Sequence, residues 1–147
     1  MERTFAMVKP LGLQNFLLEI LAALKGIGTI RARRLVPVTR ALIEAHYAEH
    51  SAKPWFGEIV EYYAGQTVMA LVVEGDDVIA RVRGILGPSD PRKAHPAQLR
   101  HLPLSKWGDG QRGWAKLELC TSGVDNLVHA SDSPEAAARE IALWFDS

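Results

Sequence analysis

Only one cysteine, Cys120, occurs in the 147 residues, so no intrachain disulfide can staple the fold. That usage suits a reducing compartment, and a cytoplasmic location is the expectation. An excess of charge of either sign is also missing: 17 Lys+Arg stand against 17 Asp+Glu. Sequence-specific or general nucleic-acid binding is therefore not expected, and any anion site must come from local placement of cations. Long apolar runs are lacking as well. The longest, Val68–Val73, is the length of a strand, so no membrane span is expected. The opening MERTFAMVKP has charges at positions 2 and 3 and no extended apolar stretch, unlike a secretory signal. No internal repeat and no low-complexity tract is visible.

What is present suits one domain over residues 1–147, with enough apolar side chains for a core. Residues 4–8, TFAMV, are β-prone and stop at Lys9-Pro10. Leu13, Leu17, Ile20, Leu21 and Leu24 form one helical face, closed by Gly26 and Gly28. Residues 29–36, TIRARRLV, read as a partly exposed strand. Thr39 can cap a helix to about His50, and a second short helix begins near Lys53-Pro54 and ends near Tyr63. Thr67–Glu74 is a buried strand between Gly65 and Gly75, and Asp76 or Asp77 caps the helix that follows, to Gly87-Pro88. A last strand is expected at Asn126–His129. Ser133 then serves as N-cap, with Pro134 at the first helical position and Ala137, Ile141 and Trp144 facing inward. Strands interleaved with helices that cover mainly one face give an α+β class: a ferredoxin-like βαββαβ sandwich on a four-stranded antiparallel sheet.

The residues that could carry chemistry are few. Lys9 ends a strand beside a proline turn, where an ammonium can enter a cleft or simply be solvated. Arg81 and Arg83 share a helix, and Arg92, Lys93 and Arg100 follow; guanidinium groups suit phosphate oxygens but also make ordinary solvated faces. His46 and His50 have the i, i+4 spacing of a metal pair, but no third ligand is evident, and a structural or surface role fits better. His129 ends the short apolar run in NLVHASDS, residues 126–133. Glu140 lies seven positions beyond Ser133, two helical turns on, where it can approach a histidine of the neighbouring strand. A carboxylate on one ring nitrogen would leave the other as a nucleophile; the alternative is one more exposed helix glutamate.

Taken in order, ERTFAMVKP, Gly12, EAHYAEH, KPWF, EG, GPSDP and NLVHASDS with its following S-x-E-x-A-x-x-E-I resemble the nucleoside diphosphate kinase family across almost the whole chain. The resemblance implies transfer of the γ-phosphoryl group from a nucleoside triphosphate to a nucleoside diphosphate, by a ping-pong route through a phosphohistidine. It implies His129 as that nucleophile, accessible because Ala130 is small, Ser131 beside the transferred group and Glu140 as holder of the tautomer. Lys9, Tyr47, Arg83, Ser89, Arg100 and Asn126 match positions lining phosphate and sugar. Trp55 replaces the phenylalanine that stacks on the base, with Ile59 one turn on. Mg²⁺ is implied as cofactor, arriving on the nucleotide, and the partners implied are nucleoside di- and triphosphates and further copies of the chain in a homo-oligomer, with Pro91 at a position used in assembly.

The departures from the family pattern lie around these matches. Leu11 stands in place of an aspartate, LQNF at 13–16 lacks an arginine, and RHLP and VDN replace R-G-D-F and G-R-N. Arg100 and His129 lie further apart than the family's usual spacing, which implies an inserted loop or hairpin at about 101–123, at the rim of the cleft. A nucleotide-binding regulatory or scaffold protein on the same fold, with transfer lost, is the alternative.

Overall fold

Phe5, Ala6, Met7 and Val8 are apolar in succession, so a strand through them has no face to give to water. The computed structural model, which describes residues 1–87, 97–101 and 127–146, puts that strand inside the sheet. Strand β1 (Glu2–Val8) lies between β3 (Thr67–Gly75) and β4 (Val128–Ala130), and β2 (Thr29–Pro37) pairs with the far side of β3. The order β2-β3-β1-β4 is antiparallel at every neighbour. All four of Phe5–Val8 are fully buried. Burying a large apolar side chain is worth about 1.5–3 kcal/mol, so this strand and its partner β3 form the strongest part of the core.

Alternation along β1 divides that core in two. Ala6 and Val8 pack with Leu71 and Val73 of β3 and with α2 (Leu17–Lys25) and α5 (Val78–Leu86). Phe5 and Met7 pack on the other side, with Val68 and Ala70, against α3 (Arg40–His46), α4 (Phe56–Tyr63) and α6 (Pro134–Phe145). The α+β, ferredoxin-like four-stranded architecture is as expected, but the helices cover both faces and not mainly one. The cause is the unbroken apolar text of β1 and β3, which leaves neither face fit for solvent.

Three local expectations are also revised. The helix expected from Leu13 to Leu24 is two, α1 (Pro10–Asn15) and α2, separated at Phe16 with φ −137° and ψ 20°. Phe16, i+3 from Leu13 and i−4 from Ile20, is buried in the same core as Ile20, Leu21 and Leu24. Asp77 holds the N-cap position of α5 in a left-handed conformation, φ 52°, and its side chain makes no cap bond. Instead the Ile79 N–H donates to Oε1 of Glu2 at 2.9 Å, so β1 caps this helix from a distance. Strand β4 runs from Val128 to Ala130 rather than from Asn126 to His129. Ala130 is therefore paired strand, opposite Ala6. The two side-chain caps at Thr39 and Ser133 are present, accepting from Leu42 N and Ala136 N, each at 3.1 Å.

Gly12 sits where α1 passes under the entry to β4. A Cβ there would lie 2.6 Å from the Leu127 carbonyl oxygen and 3.1 Å from Ile20 Cδ1. That carbonyl accepts the Lys9 N–H at 2.9 Å, so it cannot retreat cheaply. In a helix, Gly to Ala ordinarily gains about 0.8–1 kcal/mol, whereas overpacking a core costs about 1–3 kcal/mol. Gly12→Ala should therefore lower the urea midpoint at unchanged slope, by a net loss of up to about 2 kcal/mol; a raised midpoint would show that the contact relaxes.

Candidate active site

Strand pairing sets the histidine. His129 is opposite Met7, and Val128 and Ala130 are opposite Val8 and Ala6. Alternation therefore gives His129 to the face of Phe5, Met7 and α6. Its ring centroid is 6.0 Å from that of Phe5 and 4.7 Å from that of His46. The side chain keeps 20% of its surface exposed, over a cleft of about 170 Å³. Tyr47 from the end of α3, Arg83 from α5 and Glu140 from α6 line the same cleft, with His46, His50 and Asp132.

Helix α6 delivers Glu140 because its cap fixes where the helix starts. With Ser133 and Pro134 beginning it, Glu140 falls on the inward stripe with Ala137 and Trp144. Its Oε1 lies 2.8 Å from Nε2 of His129 and accepts from the Ser131 hydroxyl at 2.7 Å. Its Oε2 is 3.5 Å from Nη2 of Arg139. A carboxylate only accepts, so the imidazole proton belongs on Nε2 and the lone pair on Nδ1. The Ser131 amide is tied to the Phe5 carbonyl at 3.1 Å, which locks this hydroxyl's origin to β1.

Cations surround the pair. Nη1 of Arg83 donates to the Ala130 carbonyl at 3.1 Å. Arg100, buried in a single helical turn at Leu99–His101, donates to the Val128 carbonyl through Nε at 3.2 Å and Nη2 at 2.8 Å, and to the Gly87 carbonyl through Nη1 at 2.6 Å. Lys9, at the end of β1, is buried too. Removal from water holds the His129 pKa well below the ordinary imidazole value, and Lys9, Arg100 and Arg83 push the same way; Asp132 opposes them. Burial likewise lowers Arg100 to about 10 and raises the Tyr47 phenol to about 12. His129 is thus neutral and Tyr47 a protonated donor at physiological pH.

Of the residues marked in the sequence, Tyr47, Arg83, His129, Ser131 and Glu140 meet in or beside this cleft, and Lys9 and Arg100 act on it electrostatically. Trp55, at the start of α4, is not among the lining residues but stands 5.2 Å from the His50 ring, which is. Ile59 is buried in the core on the α4 side. Ser89, Pro91, Asn126 and, beyond its first residue, the segment at about 101–123 expected as an inserted loop or hairpin lie outside the described residues. The sequence reading missed His46 as a cleft residue. Its position three after Ile43, on the inward stripe of α3, was the available signal. Among the described residues, one group has ligand atoms close enough for a metal: His46, His129 and Glu140, within 4.8 Å of one another. No helix among the described residues is long and apolar enough to cross a membrane.

The family model for nucleoside diphosphate kinase matches residues 2–147. A nucleoside diphosphate kinase of Rubrobacter xylanophilus is 42% identical over 147 residues, spanning 99% of this chain and 98% of its own. One from Mycobacterium sp. (strain MCS) is 44% identical, spanning 98% and 96%. Among solved structures, the apo nucleoside diphosphate kinase of Encephalitozoon cuniculi superposes with a TM-score of 0.82 at 30% identity, over 100% of this chain and 90% of that one. That of Aquifex aeolicus gives 0.78 at 32% identity, over 98% and 94%. The chain belongs to the nucleoside diphosphate kinase family of phosphotransferases.

Proposed function

We propose that the chain moves the γ-phosphoryl group of a nucleoside triphosphate to a nucleoside diphosphate in two steps through Nδ1 of His129. The observation that carries this is the 2.8 Å contact between Nε2 and Glu140, which assigns the proton to Nε2 and leaves Nδ1 as the nucleophile. In the first step the Nδ1 lone pair forms the N–P bond as the bond from γ-phosphorus to its bridging oxygen breaks, and the diphosphate leaves with that electron pair. In the second, a terminal oxygen of another nucleoside diphosphate attacks the same phosphorus and the N–P bond returns its pair to Nδ1. Glu140 stabilises the positive charge that the ring carries while phosphorylated, and Ser131 keeps the carboxylate aimed.

Such transfer depends almost wholly on position and charge. Lys9, Arg83 and Arg100 supply cations, and Tyr47 a neutral donor, around the transferring group. A guanidinium has five N–H donors, so Arg83 can hold the Ala130 carbonyl and still meet phosphate oxygens. Ser89 adds a hydroxyl to the phosphates, and Asn126 bonds the ribose. Trp55 stacks on the base with Ile59 beneath it, a mode that reads any base's π-face. Mg²⁺ would enter with the nucleotide and would supply charge neutralisation to its phosphates. The close metal-type cluster is rich in imidazole, a poor match for so hard a cation, whereas the exposed carboxylate of Asp132 at the cleft is an oxygen donor that suits it. A homo-oligomer is the assembly this reading assigns, as the family resemblance implies. The cytoplasm, where nucleotides are pooled and the lone thiol stays reduced, is the compartment this reading assigns.

On incubation with Mg²⁺ and ATP, the intact mass under non-acidic conditions should gain one phosphoryl group, lost again on adding GDP. His129→Ala should show no gain while keeping nucleotide affinity. A wild-type protein that binds nucleotide yet gains no mass would overturn the mechanism. Trp55→Ala should weaken binding of all bases by about 1–3 kcal/mol, seen by calorimetry with adenine, guanine and pyrimidine diphosphates; a loss confined to one base would contradict the stacking role.

Holding His129 and His46 neutral inside the fold also has a consequence in acid. Both pKa values are lowered, so below the ordinary imidazole value the unfolded chain binds protons that the folded one does not. Stability is therefore full above about pH 6.5 and declines as pH falls toward the folded values. Urea midpoints taken downward from neutral pH should show that decline, reduced in His129→Ala; a midpoint that rises would refute the sign.

A further inference from the structure

His46 has no part in the transfer described above, yet it lines the same cleft as His129. It is the last residue of α3, buried, with its ring 78° to that of His129 at a centroid distance of 4.7 Å. Nε1 of Trp144 donates to its Nδ1 at 3.0 Å. An indole nitrogen can only donate, so Nδ1 must offer a lone pair. A neutral imidazole with its lone pair at Nδ1 carries its proton on Nε2. Burial first, and then the neighbouring His129, keep the ring neutral.

This tautomer decides between two uses of the His46, His129 and Glu140 cluster. A metal ion on Nε2 of His46 would send the proton to Nδ1, where it would meet the indole N–H, donor against donor. Trp144 is itself fully packed between Phe5 and His46 in the core, with ring centroids 5.6 Å from each, so it cannot turn aside. The ring therefore offers the cleft an N–H and not a ligand.

We propose that His46 is a further catalytic residue, whose Nε2–H, fixed by Trp144 as positioning residue, donates to an oxygen of the phosphoryl group as that group passes to and from His129. This rests on the reading of His129 as nucleophile. No bond is made or broken at His46. Its hydrogen bond strengthens as charge develops on the phosphoryl oxygens, and a donor already fixed in direction needs no reorganisation then.

The test compares His46→Gln, whose amide nitrogen mimics Nε2, with His46→Asn, whose amide mimics Nδ1, and with His46→Leu. Single-turnover phosphohistidine formation from Mg²⁺-ATP is measured beside the affinity for ADP. His46→Leu and His46→Asn should slow phosphorylation by about 100-fold, with His46→Gln recovering at least about tenfold of it, and ADP affinity should hold in all three. A Leu variant within about threefold of wild type, or Gln no faster than Asn, overturns the proposal. Should the Leu and Asn variants fail to fold, the ring-nitrogen chemical shifts of His46 in the wild-type protein decide. A protonated Nε2 with a bare Nδ1 supports the donor role, and a protonated Nδ1 overturns it. Wild-type protein that takes up no phosphoryl group overturns the His129 reading and this one together, whereas normal uptake with an unimpaired Leu variant overturns this one alone.

Discussion

One oxygen atom organises the cleft. Oε1 of Glu140 takes both the Nε2 of His129 and the hydroxyl of Ser131, at 2.8 and 2.7 Å, and so ties α6 to β4 two residues apart along the strand. Because residues 129 and 131 of an extended chain face the same side, the two groups reach the carboxylate without distortion. The Ser133 cap, the inward stripe of α6 and the pairing of β4 with β1 all serve to bring that oxygen to its place. Move any of them by a residue and the imidazole loses the partner that sets its tautomer.

The chain as a whole has no net charge, yet three cations gather about His129, beside the acids Glu49, Asp132 and Glu140 that line the same cleft. Lys9, Arg83 and Arg100 arrive from three separate elements, and each is anchored or buried by the backbone around it. Cations held in a partly dehydrated setting act more strongly than the same charges in water. Their field, together with burial, also keeps His129 neutral, so one arrangement both gathers cations and leaves an imidazole lone pair free of its proton.

What the sequence made legible was whatever depends on near neighbours. Ser133-Pro134 announced a helix start, and counting two turns from it put Glu140 beside His129. Thr39 was equally readable as a cap. The features that escaped depend on distant packing. Nothing local at Asp77 foretells that Glu2, from another element, supplies the cap for α5. The non-helical Phe16 splits an otherwise regular apolar stripe although its ring packs into the same core as Ile20, Leu21 and Leu24, and its spacing alone does not mark the break. His46 looked like half of a surface pair with His50, since only the folded chain brings Trp144 to its other nitrogen.

Among the described residues strand β4 closes one edge of the sheet, and an edge normally invites another strand. Leu127 O and Ser131 N bond back to β1, so the intervening carbonyls of Val128 and Ala130 point outward. Both are occupied: Arg100 covers the first with two N–H groups and Arg83 the second with one. A foreign β-segment sliding along this rim would find its acceptors taken and two positive charges in its path. The guanidinium groups thus protect the chain against strand addition and self-association at the edge beside the His129 cleft.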